Sequence, residues 1–495
     1  MPQTALIWLK RDLRTDDHAP LAAAAQFDAA AAVYVIEPAW LASAECDSQH
    51  VAFALEGLGE LRRTLAARGL PLLVRVGEVR AVFDALRAAF AFTHLLSHEE
   101  TGPGWSFERD RAVAAWCRER GVRWQEWAQT GVVRRLRTRD GWARRWQARM
   151  GAVPVDMPAR WRGAAALVND DVPDLRALGL PAHGRTLQRS GEAAAQATLT
   201  SFLDHRYLKA ISSPLSAETG GSRLSPYLAF GMLSLRRVHH ATEAAIARSD
   251  DAFVRRALRG FAGRLRWHCH FMQKLETQPS MEFRNLARSA DGLREGAFDR
   301  ARLEAWCAGQ TGYPMVDACM RAMLVSFAAY HLWLHWREPG LFLGRQFLDF
   351  EAGIHWSQMQ MQSGTTGINT LRVYSPTKQA REQDPDGVFI RRWVPELARV
   401  PLPLLAEPWR MAPSQQRSAG CVLGSDYPLP VVDERLAVAE AKRRLYAIRR
   451  EPQARDEAQA IQARHGSRRS GLPPTTRRRR GSGDAAPSPQ ADLFA

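Results

Sequence analysis

The chain has 495 residues, of which 46% are hydrophobic and 24% are charged, as in an ordinary soluble globular protein. This length exceeds what one core supports, so we expect at least two domains. The net charge of +16 favours a polyanionic partner, because the 14 Lys+Arg and 8 Asp+Glu from Val431 onward explain only part of the excess. No apolar run is long enough to span a bilayer and no secretory signal opens the chain, so we expect a cytoplasmic protein without membrane contact. We also expect a monomer.

The six cysteines are scattered singly along the chain. None of them forms a CxxC pair or another spacing typical of metal ligands. We therefore expect reduced, mostly buried thiols and no metal site.

Residues 1–130 alternate between apolar runs of strand length and segments of helical length. The runs are 5–9, 30–36, 70–76, 93–97 and 122–126, and the helical segments are 51–68, 78–91 and 105–120. This alternation predicts an α/β domain whose parallel sheet is covered by helices on both faces. No glycine fingerprint follows the first run, which argues against a dinucleotide site of Rossmann type, although binding at the carboxyl ends of the strands stays open.

The rest of the chain predicts a linker, a helical domain and a basic tail. Residues 131–197 show no sustained period and predict an irregular interdomain linker. Residues 198–430 predict an all-α domain, with helices over 234–249, 252–275, 299–308 and 322–334. Residues 431–495 predict a charged helix over 433–464 and then a disordered tail that contains the arginine run 477–480.

Three stretches carry residues suited to ligand binding. Residues 355–376 are rich in amides, hydroxyls and glycines and almost free of charge, which favours a large flat ligand over a solvated polar loop. Residues 220–231 join a glycine pair to Ser222 and Ser225 before an apolar helix, which suits a phosphate or an ordinary serine N-cap. Residues 264–273 place Arg264 and Trp267 on one helical face, as the wall of a ring-binding pocket or as an aromatic core stripe.

These stretches together resemble the DNA photolyase/cryptochrome superfamily. The opening motif 8–18, the segment 221–231, the helix 311–321 and the run from 355 to 397 follow one another as they do in that family, and Glu407-Pro-Trp409 closes the match. The resemblance covers about residues 1–430. It implies an antenna domain of α/β type, a helical domain that holds FAD, and damaged DNA as the partner. It also implies an antenna chromophore of pterin or deazaflavin type, for which no residue of this chain is diagnostic.

The resemblance also implies roles for individual residues. The residues implied to bind the flavin phosphates are Gly221, Ser222, Arg223, Leu224 and Ser225. Tyr207 and His268 are also implied to contact the cofactor. The acidic pair near the flavin and ribose matches Asp349 and Glu351, and His355 falls near the flavin N5. The catalytic assignments are Trp336 and Trp356 for electron relay, His355 for flavin tuning, and Arg264 and Trp267 for the lesion.

Three departures from the family pattern leave the function open. Arg264 stands where dimer-splitting enzymes carry a glutamate, and an arginine cannot accept a hydrogen bond. The relay tryptophan nearest the flavin is replaced around Ser357 and Met359, so Trp356 is its substitute. After Arg321 about four helical turns of the usual pocket wall are missing. We therefore expect a light-driven DNA repair enzyme, with a cryptochrome-type photoreceptor and a non-catalytic flavin or DNA binder as alternatives.

Overall fold

A computed structural model describes residues 2–164, 167, 171–206, 220–318 and 323–466 of the chain. Its amino-terminal part is a five-stranded sheet in the order β3-β2-β1-β4-β5, in which every pairing is parallel. The strands are β1 Thr4–Leu9, β2 Ala29–Ile36, β3 Leu72–Val76, β4 His94–His98 and β5 Arg123–Trp127. The central strands are apolar and buried along almost their whole length because helices cover both faces of the sheet.

In the sheet-containing part, five helices lie between successive strands and a sixth follows the last strand. They are α1 Ala19–Ala24, α2 Pro38–Leu41, α3 Ser48–Ala66, α4 Val79–Ala89, α5 Gly104–Arg120 and α6 Trp142–Gly151. From residue 192 to residue 466 the described chain contains helices and loops, and its only β pairing is the isolated bridge between Leu423 and Tyr427.

The helices of this second part are α7 Glu192–Asp204, α8 Ser225–Ala229, α9 Leu235–Arg248, α10 Ala252–Thr277, α11 Arg300–Cys307, α12 Pro314–Ala318, α13 Met323–Ser326, α14 Arg337–Gln346, α15 Ala352–Ser363, α16 Pro376–Gln383, α17 Val388–Trp393, α18 Leu402–Leu405, α19 Pro413–Ala419, α20 Glu434–Arg450 and α21 Pro452–His465. The predicted fold class, an α/β domain with a parallel sheet followed by an all-α domain, is confirmed. Among these described helices, none is long and apolar enough to cross a membrane.

The loop after β1 joins the two parts of the molecule. Leu13 N donates to Phe230 O at 3.2 Å, and Arg14 donates to Gly231 O at 3.0 Å. Gly231 has φ +63, and a Cβ there would lie 2.0 Å from Arg11 O. One apolar core cluster contains side chains from both parts, including Leu13 and Leu21 from the first and Phe230 and Leu265 from the second.

Three predicted elements need correction, while the domain boundaries at 130, 197 and 430 stay a prediction. The linker contains helix α6, whose Trp142, Trp146 and Met150 are buried at a spacing of four residues. The charged helix over 433–464 is two helices, because Pro452 begins the second one and cannot continue the first. The helix over 322–334 ends early, since a π-helical turn over Phe327–His331 follows α13. The predicted disordered tail from 467 onward lies outside the described residues.

We predict that Gly231→Ala weakens the junction between the two parts. Gly121 offers a matched control, because it also has a positive φ (+65) but open space around its Cβ position. Gly121→Ala should cost about 1–2 kcal/mol from backbone strain alone. Gly231→Ala should cost about 1–3 kcal/mol more, because the added methyl group meets backbone atoms that cannot rotate away. Urea unfolding of both variants measures the difference, and equal losses would contradict the close approach.

Candidate functional site

Helices α10 and α15 form the centre of the candidate site. Gly353 lets them approach closely, since a Cβ there would lie 2.7 Å from Met272 Cα. The carboxyl end of α15 is terminated by Gly364, whose φ of +77 suits the left-handed cap position. Most of the predicted site residues therefore lie on, or just before, two helices that contact each other directly.

An ion pair ties these two helices together. His268 Nε2 on α10 lies 2.7 Å from Glu351 Oε2, at the residue before α15. Burial alone would lower the pKa of His268, but the Glu351 carboxylate, together with Cys269, raises that pKa well above its ordinary value. His268 is therefore an imidazolium at neutral pH. The sequence predicts both residues as cofactor contacts, but their pairing across 83 residues could not be predicted.

A buried aromatic group brings together three of the predicted catalytic residues. Trp336 and Trp356 meet edge to face with ring centroids 5.7 Å apart, and the His355 ring lies 4.8 Å from that of Trp356. Both indoles are at most 1% exposed. Gly340 makes this packing possible, because a Cβ there would lie 2.6 Å from the Trp356 ring.

The two indoles of this group have different electrostatic surroundings. Trp336 Nε1 donates to Asn285 Oδ1 at 2.7 Å. The Arg337 guanidinium lies 5.4 Å from the centroid of the Trp356 ring, and Trp356 Nε1 has no hydrogen-bond partner among the described residues. The Arg337 charge disfavours a positive charge on Trp356, whereas the Asn285 carbonyl favours one on Trp336.

His355 is held in one neutral form. Its Nε2 lies 2.8 Å from Gly340 O, and since a carbonyl only accepts, Nε2 carries the proton. Burial lowers the pKa of His355 to about 4. Its Nδ1 is therefore a hydrogen-bond acceptor at neutral pH. Phe347 and Phe350 complete the aromatic surroundings of the ring.

The predicted phosphate segment is braced by an arginine that sequence reasoning missed. Arg206 donates to Gly221 O and Ser222 O at 2.9 and 3.2 Å. Arg223 has φ +57 and is exposed. Burial, reinforced by the charge of Arg223, lowers the pKa of Arg206. Leu224 is buried and Ser225 begins α8, as expected of a helix start. Tyr207, the residue after Arg206, lies outside the described residues.

Some polar groups of the stretch 355–376 form hydrogen bonds with other described residues, and others do not. The Gln360 amide donates to Met281 O and Arg284 O and accepts from Leu286 N, so it fixes a neighbouring loop. Ser357 Oγ and Gln358 Oε1 are buried without a hydrogen-bond partner among the described residues. The unpaired polar atoms of α15 suit a ligand with hydrogen-bonding edges, and the exposed Arg223 suits a phosphate.

Other predicted site residues stand apart from these contacts. Arg264 is exposed on α10, whereas Trp267 is partly buried, with its ring 5.0 Å from His270 and 5.6 Å from Phe271. Asp349 is partly buried in the turn before Phe350. The missing wall segment follows Arg321, and residues 319–322 lie outside the described residues. Helix α13 and the π-helical turn come directly after it.

The carboxyl edge of the sheet holds a cavity of about 60 Å³ against α10. Its lining includes Arg11, Glu100, Gln129, His268 and Glu351. This volume has room for several water molecules, and it places polar groups of both parts around one space. The antenna chromophore stays a prediction from the resemblance.

Asp12, His18 and His98 form a buried group near this edge, with His18 Nε2 and His98 Nδ1 lying 3.0 and 2.8 Å from Asp12 Oδ2. Such a group has the composition of a metal site. However, His18 Nδ1 accepts from Leu21 N, so its Nε2 carries the proton and directs it toward the Asp12 carboxylate. A ligating imidazole instead donates through its second nitrogen. The geometry therefore suits a hydrogen-bonded triad that holds the start of α1.

Two family models match this chain. The model of the FAD binding domain of DNA photolyase matches residues 261–447, and the DNA photolyase model matches residues 5–143. The first match contains α14, α15 and the part of α10 from residue 261 onward, and the second contains all of the sheet except Thr4.

Individual relatives agree with these matches over nearly the whole chain. A cryptochrome DASH from Gloeobacter violaceus is 28% identical, with 87% of this chain and 93% of the relative covered. A deoxyribodipyrimidine photo-lyase from Halobacterium salinarum is 29% identical, with 86% and 96% covered. The crystal structure of a bacterial class III photolyase from Agrobacterium tumefaciens superposes with a TM-score of 0.78 at 23% identity, covering 91% of this chain and 98% of that one.

We predict that Glu351→Gln releases the proton of His268 and weakens the contact between α10 and α15. The folded-state pKa of His268 is raised, so the pair stabilises the fold fully below the ordinary histidine pKa of about 6.5. That stabilisation is lost as the pH rises through the folded-state pKa. The variant should lose about 1–3 kcal/mol at pH 6, and the loss should shrink at high pH. Urea unfolding across this pH range measures it.

Glu243→Gln serves as the control for this variant. Glu243 is 53% exposed and lies 3.9 Å from His239, so it forms a histidine–carboxylate pair at the surface. Its removal should change stability by less than about 0.5 kcal/mol at any of these pH values. A Glu351→Gln variant that behaves like this control would show that the buried pair does not hold the helices.

Proposed function

The chain belongs to the DNA photolyase and cryptochrome superfamily, and on that premise we propose that it is a blue-light-driven DNA repair enzyme of the deoxyribodipyrimidine photolyase type. The cofactor of its helical domain is FAD. When bound, FAD supplies the absorption of light and the one-electron chemistry. The proposed substrate is a pyrimidine dimer flipped out of the DNA stack, since a damaged base costs less to extrude than a normal one.

The observation that carries this proposal is the buried pair of Trp336 and Trp356. Indole is the most easily oxidised aromatic side chain, and two indoles in contact can exchange an electron without any side-chain movement. The pair is closed to water and lies beside His355, in the segment whose family counterpart lies near the flavin. Such a pair is expected of a protein that moves electrons on illumination.

The surroundings of the pair give the transfer a direction. An indole that has lost an electron is a cation, and Arg337 disfavours that cation on Trp356. Trp336 is held by the Asn285 carbonyl, whose dipole favours the cation there. We therefore expect oxidised Trp356 to take an electron from Trp336. The positive charge then lies on Trp336, one residue farther from the proposed cofactor.

On the cofactor side, the chain supplies charges and one acceptor. Arg223, exposed in the phosphate segment, would offer guanidinium donors to the phosphates of FAD, while Arg206 holds the backbone of that segment in place. His355 would offer only a hydrogen-bond acceptor, because its proton is used on Gly340 O. An acceptor favours a protonated neighbouring nitrogen, so we expect His355 to favour the reduced form of the cofactor.

On the substrate side, α10 presents Trp267 and Arg264. Trp267 offers a partly exposed ring on which an extruded base can stack. Arg264 stabilises negative charge that develops on a lesion, although it cannot accept a hydrogen bond from one. The net charge of +16 favours association with the DNA backbone.

A cryptochrome-type photoreceptor is the second candidate. Arg264 favours it, because this residue replaces the hydrogen-bond acceptor that dimer-splitting relatives carry at the position. The same aromatic pair serves a photoreceptor equally well, since both functions require electron transfer to the illuminated flavin. Repair of a dimer-containing oligonucleotide under blue light, with a dark control, separates the two functions. Absence of repair in a protein that binds FAD and responds to light would support the photoreceptor.

We predict that Trp356→Phe and Trp336→Phe each suppress light-driven reduction of the bound flavin. Phenylalanine keeps the packing but is far harder to oxidise than indole. Flavin absorbance under blue light with an added thiol reports the rate. Trp306→Phe is the matched control, because Trp306 is equally buried but contacts Phe342 outside the pair. Equal rates in all three variants would exclude this pair from the electron path.

We also predict that Trp267→Ala weakens binding of dimer-containing DNA by at least about tenfold, as expected when one base–aromatic stack is lost. Phe253→Ala on the same helix is the control, since Phe253 is 62% exposed at the distant amino end of α10. Undamaged DNA should bind both variants alike. If the two variants lose lesion affinity equally, Trp267 is not a stacking platform.

A further inference from the structure

Asn285 is a buried amide whose orientation is fixed from both sides. It is 3% exposed, and its Oδ1 accepts from Trp336 Nε1 at 2.7 Å. Its Nδ2 donates to Asp291 Oδ1 at 3.0 Å and to Glu295 Oε1 at 3.2 Å. An indole nitrogen only donates and an ionised carboxylate only accepts, so the reverse orientation would break all three hydrogen bonds. The amide oxygen therefore stays turned toward the indole.

The two carboxylates that bind Asn285 have further partners. Glu295 Oε2 accepts from Arg294 N at 3.0 Å, and Asp291 Oδ2 lies 2.6 Å from the Arg288 guanidinium. Burial alone would raise the pKa of Glu295, but backbone N–H groups, first that of Arg294, lower it. Glu295 is therefore ionised at neutral pH and polarises the amide, which places more negative charge on Oδ1. Because Arg288 offsets the charge of Asp291, Glu295 contributes most of this effect.

Trp336 is the last indole that the described part of the electron path reaches. Among the described residues, no tryptophan or tyrosine other than Trp356 is in ring contact with it. The His335 ring lies 5.1 Å away, but an imidazole is far harder to oxidise than an indole. Burial lowers the pKa of His335, so this ring is neutral at neutral pH. A positive charge that reaches Trp336 therefore finds no further indole in contact within the described chain.

We propose that Asn285, held by Glu295 and Asp291, is the positioning residue that keeps the positive charge left by light-driven electron transfer on Trp336, as a protonated indole cation. This inference rests on the proposed function and adds where its charge comes to rest. Trp356 gives one electron to the illuminated flavin and takes one from Trp336, and no bond forms or breaks. The positive charge leaves Trp336 when one electron returns.

The Trp336 cation keeps its proton because no base is in reach of it. The partner of Nε1 is an amide oxygen, which is a very weak base. Trp336 is 1% exposed, so water does not reach the nitrogen either. The electron returns more slowly from the proposed cofactor to Trp336 than to the nearer Trp356. By stabilising the cation on Trp336, Asn285 therefore lengthens the time for which the charges stay separated.

The full chain loaded with FAD provides the test. A blue laser flash starts the transfer, and transient absorption follows the tryptophan radical. The parent should show the spectrum of an indole cation, not that of a neutral indolyl radical, with the same decay in H2O and in fully exchanged D2O. The EPR spectrum of the trapped radical should show coupling to the N–H proton, which D2O removes. A neutral radical, or a decay that D2O slows, overturns the proposal.

Asn285→Leu removes the acceptor at similar volume. The electron should then return at least about tenfold faster, as expected when a hydrogen bond to a charged group is lost. Trp336→Phe sets the upper limit, because the charge cannot leave Trp356 in that variant. Glu295→Gln keeps the amide contact and removes one charge, so the return should be about two- to fivefold faster. Glu295 is 43% exposed, so its variant decides if Asn285→Leu fails to fold.

Glu457→Gln is the matched control for Glu295→Gln. Glu457 accepts from Arg288 N at 2.6 Å and Ser289 N at 2.9 Å, so it holds the same loop without a hydrogen bond to Asn285. Its variant should keep the parent rate. Equal rates in the two glutamate variants, or an Asn285→Leu variant with the parent rate, overturn this inference and leave the proposed function in place. A parent that forms no flavin–tryptophan radical pair overturns both.

Discussion

The close packing of α10 against α15 is the constraint on which the candidate site depends. Gly353 permits it, because any side chain at that position would collide with the Met272 backbone. The His268–Glu351 ion pair then fixes how the two helices lie along each other. With α15 held in this way, His355 and Trp356 face Gly340 of α14 rather than solvent. The contacts that hold α10 against α15 therefore also position the residues of the candidate site.

The electrostatics of the helical part separate into regions with different purposes. Around α15, His355 is neutral and His268 is paired with Glu351. Around residues 206 and 223, burial and then the neighbouring guanidinium charge of Arg223 lower the pKa of Arg206.

Much of the fold could be predicted from sequence because its elements are marked locally. The five strands lie within two residues of the predicted runs, since most of these runs are rich in apolar residues and flanked by polar ones. Helix α6 was missed although its buried Trp142, Trp146 and Met150 recur every four residues. The resemblance provided the candidate residues, but their pairings, such as His268 with Glu351 or Arg206 with the 221–222 carbonyls, depend on contacts between distant segments. No local pattern encodes those.

The single apolar cluster that spans both parts has a consequence for how the chain is made. Leu13 and Leu21 leave the ribosome more than 200 residues before Phe230 and Leu265, their eventual neighbours in the core. Until those later residues are synthesised, the nascent sheet exposes apolar surface. Folding intermediates with exposed apolar surface are prone to aggregate. The amino-terminal part is therefore a poor candidate for separate expression, and synthesis of the whole protein would gain from a chaperone that shields this surface.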